Sequence, residues 1–161
     1  MPARNTDLRS ALRRAAAAMT ADGPDFSLAG SEVEAAAKSL ADAGFTVERP
    51  PEDWLVKACV GDDFVIDVLH RLNGVPVDAA TLENAVRREV LAVSMRALPP
   101  TYVLIEKLCS LGEHHCDFAA LLPPVRAVRE QVDWDSVRTG TAHNDFAVAF
   151  LTLTDRLGIT A

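Results

Sequence analysis

The sequence predicts a mixed α/β fold of the α+β kind, with a mixed sheet and flanking helices over residues 1–98 and a helical C-terminal portion over 99–161. Three observations predict it. Short apolar runs bounded by Gly, Pro and Asp alternate with helical stretches as far as Pro99-Pro100. Beyond Thr101 apolar residues recur at helical spacing alone. No repeat, low-complexity tract or composition shift marks a linker, so the chain is expected to form one domain with two halves.

The elements follow in order. Leu8, Leu12, Ala15, Ala16 and Met19 share a helical face, and Asp22-Gly23-Pro24 stops that helix. Arg13, Arg14 and the Ala15–Ala18 run superficially match a signal or transit peptide. The apolar core is too short for the first, and Asp7 and Asp22 argue against the second, so an ordinary first helix is expected. Phe26–Ala29 reads as a strand leading into Gly30-Ser31, and Ser31 with Glu34 forms a capping box for an alanine-rich helix that Gly44 ends. Phe45–Val47 is a strand closed by Pro50-Pro51. Trp54–Val60 and Phe64–Leu72, separated by Gly61-Asp62-Asp63, read as a hairpin. Asp78 caps a helix running to about Arg88, with Leu82 and Val86 on one face, and Val90–Met95 is a further strand.

In the second half, Tyr102, Ile105, Leu108 and Leu111 line one helix. Phe118, Leu121 and Leu122 line the next, which Pro123-Pro124 interrupts before Val125–Val132 continues helically. Asp133-Trp134 opens a short segment, and Asn144 caps a last helix carrying Phe146, Phe150 and Leu153.

Composition excludes several classes. Hydrophobic residues at 49% against 24% charged supply a real core and argue against wholesale disorder. No apolar run approaches bilayer length, so no membrane partner is expected. Cys59, Cys109 and Cys116 form an odd set without a CxxC pair, which points to a reducing, cytoplasmic setting. His114, His115 and Cys116 are adjacent, and neighbours on a helix diverge, so a zinc site is not expected there. A net charge of −7 rules out a protein that simply coats nucleic acid; any such contact must be local. Arg126, Arg129 and Arg138 are candidates for a patch, although solvated helix faces explain them better.

Three places can carry chemistry. Asp67 lies in Phe64-Val65-Ile66-Asp67-Val68-Leu69, an apolar strand that should bury it, so its charge requires compensation by a metal cation, by Lys57 on the partner strand, or by backbone N–H groups. Lys107 sits on a helix with a well-defined apolar face, and Asp117 follows the cluster Glu113-His114-His115; the two can pair with each other or converge on a phosphate and its metal. Gly30-Ser31 presents N–H groups at a helix start, where a phosphate can bind or Ser31 can serve only as a cap. The literal Asp133-Trp134-Asp135 opens a helix and reads as capping rather than as a metal pair.

Taken together, the strand ending in Gly30-Ser31, the strand bearing Asp67, the run Pro99–Leu108 with Lys107, the stretch Glu113–Asp117 and the segment Arg126–Trp134 resemble the minimal bacterial nucleotidyltransferases, including the toxins of type IV toxin–antitoxin systems. The resemblance spans about Leu8 to Ile159. It implies transfer of a nucleoside monophosphate from an NTP to an acceptor hydroxyl, on tRNA, another RNA 3′ end or a protein, with Mg²⁺ or Mn²⁺ as cofactor and a cognate antitoxin as partner. By position it makes Asp67 the third, metal-binding carboxylate, Lys107 the phosphate-binding lysine, Asp117 the downstream acid, and Gly30 and Ser31 the start of the Gly-Ser signature. One departure stands out. The family follows the Gly-Ser turn with a strand bearing an Asp-x-Asp pair, whereas here Ser31 runs directly into Glu32-Val33-Glu34 and a helix. Either the gene encodes a segment that these residues lack, or the site is degenerate and binds without transfer. The retention of Asp67, Lys107 and Asp117 favours the first.

Overall fold

The computed structural model describes residues 25–59, 65–90 and 93–160. The helix expected over Leu8–Met19 and the turn Gly61-Asp62-Asp63 lie outside them. The chain forms two compact units, divided between Ala97 and Leu98.

The first unit is built on a mixed four-stranded sheet. Its strands are β1 (Asp25–Ser27), β2 (Thr46–Glu48), β3 (Leu55–Cys59) and β4 (Val65–Leu69), in the order β1-β4-β3-β2. β1 runs parallel to β4, and the other neighbours are antiparallel. A 3₁₀ turn (Gly30–Glu32) and helix α1 (Val33–Asp42) connect β1 to β2. Strand alternation gives the sheet two unlike faces. Val56, Ala58, Ile66 and Val68 point one way and pack with Val33, Ala37 and Leu40 of α1 to make the core. Lys57, Asp67 and their cross-strand neighbours point the other way.

Helix α1 ends where Gly44 adopts φ 87°, a conformation that costs any residue with a Cβ. The Gly44 N–H donates to Ala41 O (2.9 Å) and the Phe45 N–H to Leu40 O (3.1 Å), the paired bonds of a Schellman terminus. The expected capping box at its start is absent. Ser31 lies inside the 3₁₀ turn, no side chain caps either helical start, and the Glu34 carboxylate instead accepts from Arg49 at 2.9 Å.

After a small ribbon, β5 (Arg71–Leu72) with β6 (Val75–Pro76), Asp78 caps helix α2 (Ala79–Glu83) through the Thr81 N–H at 2.8 Å. The helix expected to reach Arg88 stops at Glu83. Val86–Val90 is instead strand β7, paired antiparallel with β8 (Val93–Ala97). The ladder satisfies backbone groups of a valine-bounded segment that helix formation has no apolar face to reward, and tertiary pairing overrides local periodicity.

The second unit is helical: α3 (Pro100–Cys109), α4 (Phe118–Val128), α5 (Trp134–Thr141) and α6 (Asp145–Arg156). Leu104, Leu108, Val125, Val137, Phe150 and Leu151 form its core, and the rings of Phe118 and Phe150 meet edge-on at 5.2 Å. Pro123-Pro124 does not interrupt α4, which runs through both prolines. Gly140 permits a close crossing, since a Cβ there would lie 3.2 Å from Ile105. Asn144 caps α6 through Ala147 N–H (3.0 Å) while its amide donates to Cys109 O and Leu111 O (3.2 and 3.0 Å), tying α6 to the end of α3.

Candidate functional site

The residues that the sequence singles out fall in both units: Gly30, Ser31 and Asp67 in the first, Lys107 and Asp117 in the second.

Asp67 sits at the middle of β4, with a neighbour on each side. Across the parallel ladder its partner is Asp25; across the antiparallel ladder it is Lys57, which in turn faces Glu48 on β2. A single charged row, Asp25–Asp67–Lys57–Glu48, therefore crosses the face opposite the α1 core. Lys57 Nζ donates to Asp67 Oδ1 at 3.2 Å and lies 3.4 Å from Oδ2. The carboxylate is half-buried rather than sealed: the Asp67 side chain is 22% exposed and that of Lys57 38%. The apolar flanks Ile66 and Val68 are buried on the core side, which leaves Asp67 on the charged side. Cys59 lies two residues beyond Lys57 on that face, and burial, then the Glu48 carboxylate, push its thiol above the ordinary value.

β1 carries Asp25 at its start and leads into the Gly30 turn, held to the sheet by Leu28 N–H donating to Leu69 O at 3.0 Å. Gly30, Ser31 and Glu32 are exposed. The backbone N–H groups of this uncapped start are the kind of donors a phosphate takes. Gly30 itself has open space where a Cβ would stand, so the fold does not demand glycine here.

Lys107 and Asp117 are both exposed. Among the described residues no ion pair joins them. Asp117 is the N-cap of α4, accepting from Ala120 N–H at 3.0 Å. The turn between them is closed by reciprocal Gly112–His115 backbone bonds, both 3.0 Å, with His114, His115 and Cys116 exposed.

Among the described residues no group of three or more His, Cys, Asp or Glu side chains is arranged to hold a metal ion. The oxygen donors Asp25 and Asp67 fit a hard divalent cation in kind. Further ligands would have to come from a nucleotide, from water or from residues outside the described ones. Of the candidate basic patch, Arg129 pairs with Glu130 and Arg138 with Asp155. Asp133 caps α5 through Ser136, as a helix-start acid should. Asp25 is the neighbour that sequence reasoning missed. Its only local signal is a position just ahead of an apolar strand, and parallel pairing with β4 leaves no mark on the sequence. The three cysteines are free, and no described helix is long and apolar enough to cross a membrane.

Comparison with protein-family models, curated proteins and solved structures finds no match for this chain.

Proposed function

We propose that the chain is a metal-dependent nucleotidyltransferase that moves a nucleoside monophosphate from an NTP to an acceptor hydroxyl, on tRNA or another RNA 3′ end or on a protein, and that it is the toxin of a toxin–antitoxin pair. The observation that carries this reading is the setting of Asp67. It lies on an interior strand, on the charged face, beside Asp25 across a ladder whose outer strand runs into the amide groups of Gly30-Ser31. Oxygens for a divalent cation and N–H donors for phosphate then belong to one sheet and the turn that leaves it. When bound, Mg²⁺ or Mn²⁺ neutralises the triphosphate and acidifies the attacking hydroxyl. Asp67 would hold the cation, and Lys57 positions its carboxylate across the ladder. Lys107, exposed near the end of α3, and Asp117, the cap of α4, are carried by the family resemblance alone, as the phosphate-binding lysine and the downstream acid.

A second reading is a nucleotide- or partner-binding module without transfer. Two specific observations favour it: the Lys57–Asp67 ion pair already balances the carboxylate, and no Asp-x-Asp strand follows Ser31. The two readings separate in one experiment. The purified chain is incubated with labelled NTPs, Mg²⁺ and total tRNA beside an Asp67→Ala variant. Label transfer that the variant loses supports the enzyme. NTP binding without transfer supports the module, and absence of both removes the two together. Reading the gene across Ser31 tests the same point from the other side.

A further inference from the structure

The β7–β8 ribbon stands as a two-stranded sheet of its own, and its register sets Arg87 directly opposite Arg96. Like charges at facing positions weaken a ladder, so this pair asks for a reason. Arg96 has a partial one: its Nη2 donates to Leu82 O at 2.7 Å and to Ala85 O at 3.2 Å, engaging carbonyls at the end of α2. Arg87 has none of that sort, since the bond found for it is to the Ser94 hydroxyl at 3.2 Å. Arg88 stands on the opposite face, across from Met95, and is exposed. None of the three belongs to an ion pair among the described residues. In a chain with a net charge of −7, a ribbon with three exposed arginines and Glu89 as its only acid is a local reversal of sign.

We propose that this ribbon is an RNA-binding element that takes phosphodiester groups on both its faces, through Arg87 beside the α2-anchored Arg96 on one and through Arg88 on the other. Guanidinium groups match phosphate geometry and need no deprotonation control. Val86–Ala97 contains no aromatic residue, so the ribbon has no platform for stacking bases. Binding is therefore electrostatic, tolerant of sequence and steeply salt-dependent. The choice of RNA over an acidic peptide rests on the transferase reading in its RNA-acceptor form.

The test measures anisotropy of a fluorescein-labelled single-stranded RNA against the full chain, without NTP or Mg²⁺, across a salt series. The expected result is binding at low salt that Arg87→Ala/Arg88→Ala weakens at least tenfold. The slope of log affinity against log salt should fall by about 1.4, at about 0.7 for each phosphate contact on a single strand. The Arg87→Lys/Arg88→Lys variant should keep the wild-type slope. Asp67→Ala should bind RNA unchanged, so that failure of transfer and failure of the ribbon are told apart. The proposal is overturned if no RNA binds at low salt, if the double alanine variant binds as the wild type does, or if polyglutamate competes as well as unlabelled RNA.

Discussion

The side chain on which the functional reading turns is a half-exposed aspartate in contact with a lysine. At 22% and 38% exposure, the Asp67–Lys57 pair belongs with ion pairs that water still reaches. Such pairs contribute about 0–1 kcal/mol, whereas breaking a sealed one costs about 3–5 kcal/mol. Lys57→Met should therefore lower stability by no more than about 1 kcal/mol in urea unfolding. A loss near the larger figure would mean that the carboxylate depends on its lysine for burial, and the cation-holding role of Asp67 would go with it. Gly30 offers a complementary probe. It has room for a Cβ and no positive φ, so Gly30→Ala should leave stability unchanged or raise it by about 0.4–1 kcal/mol. If NTP binding falls in that variant while stability holds, the glycine serves the approach of a ligand.

At the scale of elements, helix ends carry much of the specification. Gly44 holds the left-handed position that closes α1, and Gly44→Ala should cost about 1–2 kcal/mol. Asn144 has two jobs, capping α6 with its carbonyl oxygen and bridging to the end of α3 with its amide. Asn144→Asp preserves the cap but turns a carboxylate oxygen toward the two carbonyls that the amide bridged, so it should be less stable than the wild type, while Asn144→Ala loses about 0.5–2 kcal/mol from the cap alone. Acid titrates other ends. Hydrogen bonds from the Ser136 backbone and hydroxyl hold the Asp133 carboxyl below its ordinary value, and those from Arg138 and then Thr160 do the same for Asp155. A depressed folded value stabilises the protein above the ordinary carboxylate range and loses that contribution as pH falls through the folded value. The stability of residues 98–161 should accordingly decline below about pH 4. Asp155→Asn should flatten the decline in a pH series of thermal melts.

For the whole molecule, the decisive feature is that its described residues form two hydrophobic cores, one behind the mixed sheet and one among α3–α6. Chains with more than one cooperative unit depart from all-or-none unfolding. Calorimetry should resolve two transitions, with Gly44→Ala shifting one and Asn144→Ala the other. A single transition moved by both variants would mean that the units unfold as one. The division into units also limits where chemistry can be sought: the charged face of the sheet and the arginine ribbon both belong to the first, while the second contributes exposed Lys107 and the capping Asp117.

Much of this was legible in the order of residues. Periodicity and punctuation located β3, β4, α3, α5 and α6, and the caps at Asp78, Asp133 and Asn144 were readable because capping is settled by the residue and the few that follow it. Lys57 was visible as a possible partner for Asp67 because hairpin strands pair in a register that their own alternation sets. What the sequence alone did not determine is whatever depends on contacts between distant segments. Parallel pairing placed Asp25 beside Asp67, strand pairing took Val86–Val90 out of a helix, and a 3₁₀ turn removed Ser31 from the capping position. In each case local preference is worth a fraction of a kcal/mol per residue. The backbone partners and apolar surface supplied by tertiary structure outweigh it, and only the folded chain shows where those partners lie.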